Sequence, residues 1–159
     1  MIHYLIVFLI SMVPLIELRV AIPYGLALAE QFALSPLLIY AVAIVGNCLP
    51  VPFILLFIRK ILAWMQASRV AFFHKVATFV IEKGHRGFEK VQRYATFGLF
   101  VFVAIPLPGT GAWTGALIAA LLDMKKRYAF LSIALGVLTA GIIMSLITGG
   151  VLAGLSFLL

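Results

Sequence analysis

The sequence predicts an all-α integral membrane protein built as an inverted repeat, in which each half holds a re-entrant helical hairpin and one transmembrane helix. Of its 159 residues, 65% are hydrophobic and 11% charged, with a mean hydropathy of +1.22, whereas about 25% of residues are charged in soluble domains. Because one helical crossing takes about 20 apolar residues, the chain is long enough for about five or six membrane segments. Prolines and glycines interrupt one long apolar segment in each half. We therefore treat residues 1–159 as a single membrane domain.

The basic residues are concentrated in two short regions. Twelve Lys and Arg against five Asp and Glu give a net charge of +7, with eight of the twelve between residues 59 and 93 and three more at 125–127. Short loops rich in Lys and Arg stay in the cytoplasm, so both regions should face it. This rule explains the basic charge better than a nucleic-acid partner, and we expect none. The membrane that we expect for the chain is the prokaryotic cytoplasmic (inner) membrane.

The first half, residues 1–58, begins with the apolar segment 2–30. Pro14, Pro23 and Gly25 interrupt this segment, and proline removes a helical hydrogen bond, so we expect a hairpin that enters from the outside. Residues 34–58 should then cross the membrane once.

Residues 59–93 should form a basic cytoplasmic connection between the halves. Apolar residues recur there at three- and four-residue steps, which predicts an amphipathic helix in the membrane interface that contacts anionic lipids. The residues that form this apolar face are Leu62, Met65, Phe72, Phe73, Val76, Phe79 and Val80.

The second half, residues 94–159, should repeat the design from the cytoplasmic side. Residues 94–122 lie between two cytoplasmic regions, so they should form a hairpin, with legs of about 12 residues that reach roughly 18 Å into the bilayer. Its helix-breaking residues are Pro106, Pro108, Gly109, Gly111 and Gly115. Residues 128–159 should cross once, either as one helix or as two with a break at Gly149. Inverted repeats with discontinuous helices are typical of secondary transporters.

Glu17 and Arg19 are the charged residues of the first hairpin's interior. A charge at bilayer depth costs about 2.5–3.5 kcal/mol even on insertion scales, so the two need a cavity, each other or a substrate. Desolvation favours a protonated carboxyl and the arginine favours a carboxylate, so Glu17 is suited to exchange a proton. Arg19 offers a planar donor fork for phosphate or carboxylate. The alternative is a structural ion pair that holds the hairpin to the bundle.

The second hairpin tip carries no charge but has groups suited to an anion. Thr110 and Thr114 supply hydroxyls, the glycines free backbone N–H groups, and a helix should begin near Trp113, whose ring could cap the pocket. The alternative is a purely structural turn.

Metal, cofactor and covalent chemistry have no recognisable motif in the chain. Cys48 is the one cysteine, and His3, His74 and His85 show no ligand spacing. Neither a phosphate-binding glycine loop nor a nucleophile elbow is present. We expect no cofactor, no metal and no enzymatic activity.

Two segments carry a family resemblance. Residues 14–25 (PLIELRVAIPYG) and 106–115 (PLPGTGAWTG) resemble the signature segments of the small multidrug export protein family, and the resemblance covers nearly the whole chain. That family in turn resembles the DedA superfamily. The DedA resemblance implies proton-coupled movement of lipid phosphates through paired re-entrant hairpins, with Pro14 and Glu17 matching its first motif. DedA-like second hairpins carry arginines where this chain has Val103 and Gly109, so Arg19 would have to supply that charge.

Together these features predict a proton- or ion-coupled secondary transporter or flippase-like protein. Its substrate would be amphipathic, most simply an anionic lipid, bound at the midplane between the hairpins. The residues expected at this site are Glu17 for the proton, Arg19 for the anion, and Thr110, Trp113 and Thr114 for the rest of the pocket. Two alternatives remain, a small multidrug or cation efflux protein and a non-transporting structural or assembly factor. With so few segments, a homodimer would help to enclose a hydrated cavity, and a monomer stays open.

Overall fold

The computed structural model describes residues 1–67, 94–107 and 109–158. Within these ranges the chain forms helices and turns and no strand, so the all-α prediction is confirmed. The helices are α1 (Ile2–Met12), α2 (Glu17–Ala27), α3 (Pro36–Cys48), α4 (Pro50–Ala67), α5 (Ala95–Ala104), α6 (Ala112–Leu121) and α7 (Lys126–Leu158).

Two helical stretches are long and apolar enough to cross a membrane. One is Pro36–Ile58, formed by α3 and the start of α4, and the other is Lys126–Val151 in α7, with 23 and 26 residues. Together with the apolar composition, they make this an integral membrane protein. The remaining apolar helices α1, α5 and α6 have 11, 10 and 10 residues and are too short for a full crossing.

The short helices form two pairs that pack in similar ways. Helix α1 contacts α2 and α3, and α5 contacts α6 and α7. The second helix of each pair then reaches the other half, since α2 packs on α7 and α6 packs on α4. Helices α2 and α6 therefore join residues 1–67, called the first half below, to the described residues of 94–158, called the second half. The re-entrant entry of the pairs, the inverted repeat and the division of the domain into halves stay predictions.

Glycines set the close packing of α7. A Cβ at Gly136 would lie 2.7 Å from Val103 Cβ, and one at Gly141 would lie 2.7 Å from Tyr40 Cε2. Tyr40 also donates a hydrogen bond of 2.8 Å to the Leu138 carbonyl. At Gly149, by contrast, a Cβ would meet nothing within 4 Å, and α7 continues through that position without a break. The open question of one helix or two is thus answered in favour of one.

Several residues expected at helix breaks lie inside helices instead. Pro23 is within α2. Its ring removes one backbone donor, but the packed surroundings keep the helix intact. Gly25 and Gly115 are contact points, where a Cβ would lie 2.5 Å from Ile39 Cγ2 and 2.7 Å from Val103 Cγ2.

The boundary expected between the first crossing and the basic connection also differs. Helix α4 runs on to Ala67, nine residues past the predicted end at 58, because no helix-breaking residue follows. Pro108 and residues 68–93, which hold most of the predicted interfacial helix, lie outside the described residues.

Candidate functional site

The candidate site lies where the bend between α1 and α2 meets the bend between α5 and α6. Pro14 is in the first bend, and Leu15 and Glu17 have left-handed backbone angles, with φ of 68° and 51°. Such angles cost side-chain-bearing residues about 1–3 kcal/mol and are found where the surroundings enforce them. The second bend includes Pro106 and begins where α5 ends. Tertiary contacts must therefore hold the first bend in place.

Glu17 supplies the central contact between the bends. Its side chain is 3% exposed. Oε2 accepts a hydrogen bond from the Ala112 amide and Oε1 accepts one from the Trp113 amide, each at 3.2 Å. These are the first two amides of α6, which have no partner within their own helix. The carboxylate of one half therefore caps, at its positive end, a helix of the other half.

Gly111, the residue before α6, makes this cap sterically possible. A Cβ at this position would lie 2.6 Å from Glu17 Cδ and 2.7 Å from Oε1, closer than Cβ atoms approach other atoms in real proteins. Its φ of 150° is also one that residues with side chains rarely adopt. Gly111 is thus required by both the backbone and the contact, whereas Gly109, with φ of 83°, has open space around it.

Arg19 fixes the second bend through Thr110. Its Nη2 donates to the Thr110 carbonyl and, at 2.9 Å, to the Thr110 hydroxyl oxygen. That hydroxyl in turn lies 2.7 Å from the Ile105 carbonyl and 2.8 Å from the Leu107 carbonyl, so it can donate to either one. Glu17 and Arg19 form no ion pair with each other; each binds the opposite half instead.

The other two predicted site residues differ in their placement. The Trp113 indole donates a 3.0 Å hydrogen bond to the Met12 carbonyl at the end of α1, so its ring is held against the first bend. Thr114 is half-buried, and no hydrogen bond joins it to Glu17 or Arg19 in the described part of the chain. Of the three residues predicted at the second bend, two therefore contact the first bend or its charges, namely Thr110 through Arg19 and Trp113 through the Met12 carbonyl. Thr114 makes no such hydrogen bond in the described part of the chain.

Asn47 in α3 is a site residue that the sequence reasoning missed. It is 0% exposed and lines an internal cavity together with Glu17, Arg19 and Gly111. The space open to a water centre there is about 10 Å³, close to that of a single water. Neither polar atom of the Asn47 amide has a hydrogen bond of good geometry, although the amide lies beside the Glu17 carboxyl. The sequence did contain a signal for this residue, because Asn47 is a polar amide side chain inside the apolar stretch 34–58.

The site combines one carboxyl group, one guanidinium group and surplus donors in a nearly closed space. Besides the Asn47 amide, Arg19 Nη1 is buried without a hydrogen-bond partner. Buried polar groups normally have partners, so these atoms are suited to a water or a ligand. Within the described ranges, no group of three or more His, Cys, Asp or Glu is placed to hold a metal ion. The arrangement can hold a proton on Glu17 and an oxyanion beside Arg19.

Comparison with known proteins places the chain in a family. A family model matches residues 17–143, a range that begins at Glu17 and includes both α6 and most of α7. Searches of curated proteins and of solved structures found no match. The DedA resemblance is not among these findings and stays a prediction. Since the match covers most of the chain, the protein belongs to the family described as "Putative small multi-drug export protein".

Proposed function

We propose that this protein is a secondary transporter, flippase-like and coupled to protons or another ion, that moves an amphipathic anionic substrate through the site between the two bends. Membrane lipids are the simplest source of such a substrate. The observation that carries this proposal is the reach of Glu17 and Arg19 across the halves, beside buried donors that have no protein partner. We assign the protein no enzymatic step.

The energetics of the site favour a binding role over a purely structural one. Charges at bilayer depth cost about 2.5–3.5 kcal/mol each on insertion scales, and the unpartnered Asn47 amide adds a further cost. A structural contact between two helix pairs needs none of these groups. A site that is visited by a polar ligand needs all of them, because the ligand satisfies the donors while it is bound.

The contacts between the halves also fit alternating access. Movement of one half against the other would break the hydrogen bonds from Ala112 and Trp113 to Glu17 together with those from Arg19 to Thr110. Secondary transporters with discontinuous helices bind their substrates at this kind of junction and expose it to each side in turn.

Export of cationic drugs is the second candidate, because the family description names multi-drug export. Glu17 would then act as the counter-ion of the cation. Arg19 lies two residues away and repels a cation, so this candidate predicts that the arginine hinders transport. An assembly factor is the third candidate, in which the contacts of Glu17 and Arg19 only hold the halves together.

The three candidates are separated by flux measurements in proteoliposomes with a fluorescent phosphatidate and with ethidium. For the anionic substrate, Glu17→Gln and Arg19→Gln should both abolish transport of phosphatidate. For a cation, Arg19→Gln should increase ethidium flux. Glu30→Gln is the matched control, because Glu30 is an exposed carboxyl that follows the end of α2.

Normal folding of each variant is checked by circular dichroism and gel filtration in detergent. Unchanged phosphatidate flux in a folded Glu17→Gln protein would contradict the role given to Glu17. Absence of flux for both substrates in the wild-type protein would favour the assembly factor.

A further inference from the structure

We propose that the N-terminus of α6, Arg19 and Asn47 form an oxyanion site that the ionised Glu17 side chain itself occupies. An oxyanion then binds only when Glu17 leaves, and Glu17 leaves as a protonated acid. This inference deepens the proposed function and rests on it for the choice of an anionic substrate. It names the coupling step as competition between the protein's own carboxylate and the substrate for one set of donors.

The Glu17 carboxylate shows where the anion would bind. It accepts from the amides of Ala112 and Trp113, as a bound phosphate or sulfate accepts from the first turn of a helix. Helix α6 has 10 residues, and Gly111 before it has no side chain that would block access to its N-terminus. The carboxylate group is thus an oxyanion that is already bound in an anion site.

Donors beyond those that Glu17 uses are the independent sign of a ligand. Asn47 is fully buried, lines the same cavity beside the Glu17 carboxyl and makes no hydrogen bond of good geometry with either amide atom. Arg19 has a second buried nitrogen, Nη1, that is also unpartnered. A carboxylate has two oxygens, and both are engaged by α6. A tetrahedral oxyanion has three or four, which matches the surplus donors.

The size of the cavity makes the two occupants mutually exclusive. With Glu17 in place, the space open to the centre of a water is about 10 Å³, which is room for a single water but not for the larger sulfate or phosphate. Glu17 must therefore move away before an oxyanion enters. If Glu17 left the helix as a carboxylate, an unpaired charge would remain in apolar surroundings, at a high cost in free energy. A protonated carboxyl is neutral, so its departure costs much less free energy.

The surroundings contain few other charges that could take part. Arg19 is the charged group that faces Glu17 from its own helix, and α3 contributes the neutral Asn47. The lining contributed by α5 and α7 consists of Val103, Val137 and Ala140. In the described part of the chain, no charged side chain other than Glu17 and Arg19 lines this cavity. Each oxyanion that binds is therefore accompanied by one proton taken up on Glu17.

The test measures anion binding in detergent, with no transport step. Trp113 donates its amide to Glu17, and replacing the exposed Trp64 by phenylalanine leaves Trp113 as the single tryptophan whose fluorescence reports the site. The probes are sulfate, which keeps its charge between about pH 5 and 8, and hexyl sulfate. Glu17→Ala is compared with Glu30→Ala as the matched control.

At pH 8 the Glu17→Ala protein should bind sulfate at least tenfold more tightly than the control and with little pH dependence. The wild type and the control should lose affinity as pH rises, by at most tenfold per pH unit for one proton exchanged. Replacing Asn47 by alanine in the Glu17→Ala background should weaken binding about tenfold. Tighter binding of hexyl sulfate than of sulfate would identify a lipid-like source, and equal binding a free anion; both agree with the site.

Equal sulfate affinity of Glu17→Ala and Glu30→Ala at every pH would overturn the inference. Where Glu17→Ala does not fold, the wild type still decides, because sulfate affinity that does not change between pH 5 and 8 would overturn it as well. The proposed function can fail separately: absent flux combined with the predicted gain in affinity would reject transport and keep the oxyanion site.

Discussion

Replacing Gly111 by alanine should separate Glu17 from α6. The added methyl group would lie 2.6 Å from Glu17 Cδ and 2.7 Å from Oε1, and the backbone φ of 150° does not suit a side chain. The atoms that the methyl group would overlap are those of the Glu17 carboxyl group. The overlap is therefore relieved only if the carboxyl leaves the amides of Ala112 and Trp113.

The size of the effect follows from the contacts that are lost. Each hydrogen bond to a charged group contributes about 1.5–3 kcal/mol, so two lost bonds cost about 3 kcal/mol at the lower end. The unfavourable backbone angle adds about 1 kcal/mol or more. A total of about 4 kcal/mol corresponds to a fall in Tm of about 8 °C or more for a chain of this size.

Thermal unfolding in detergent measures this change, with a thiol-reactive dye that reports on Cys48, the single and partly buried cysteine. Two glycines provide matched controls. Gly109→Ala tests positive φ alone, since φ is 83° and a Cβ there meets nothing within 4 Å. Gly98→Ala, in α5 with equally open space, tests the mutation itself and should leave Tm unchanged or raise it.

A Tm for Gly111→Ala no lower than that for Gly109→Ala would refute the displacement of Glu17. The pair Glu17→Ala and Gly111→Ala gives a second check. If the methyl group acts by expelling the carboxyl, most of its cost should disappear when the carboxyl is already absent.

Two further changes test the strain and the contacts of the first bend. Leu15 has φ of 68° and is 71% exposed, so Leu15→Gly should raise the free energy of unfolding by about 1 kcal/mol. The control Leu9→Gly, within α1, should lower it by about as much. A lower Tm for Leu15→Gly would contradict the backbone strain at this residue. Trp113→Phe removes the indole hydrogen bond to the Met12 carbonyl and should lower the free energy of unfolding by about 1 kcal/mol. The control Trp64→Phe, at an exposed site, should leave Tm unchanged. Equal Tm values for the two variants would mean that the hydrogen bond contributes nothing to stability.

Local sequence features fixed the parts of the fold that depend on local chemistry. Apolar length predicted the two long helices, because each must match the thickness of the hydrocarbon layer. Pro14 and Pro106 were expected at bends and lie in them, since each removes a backbone donor just where an apolar helix ends. Pro23 was expected at a break and is inside α2, because the surrounding packing decides whether a helix tolerates a proline.

The composition of the candidate site depended on contacts between distant parts of the chain. The charges of Glu17 and Arg19 stood out in the sequence because a charge is costly in an apolar segment. Their partners did not, since Glu17 binds an amide 95 residues away and Arg19 binds a threonine 91 residues away. Asn47 joins them only through the packing of α3. The sequence by itself determined that this is an α-helical membrane protein with two charges inside an apolar segment. The tertiary structure alone decided that they bind the opposite half instead of each other, because hydrogen-bond partners are set by distance in space.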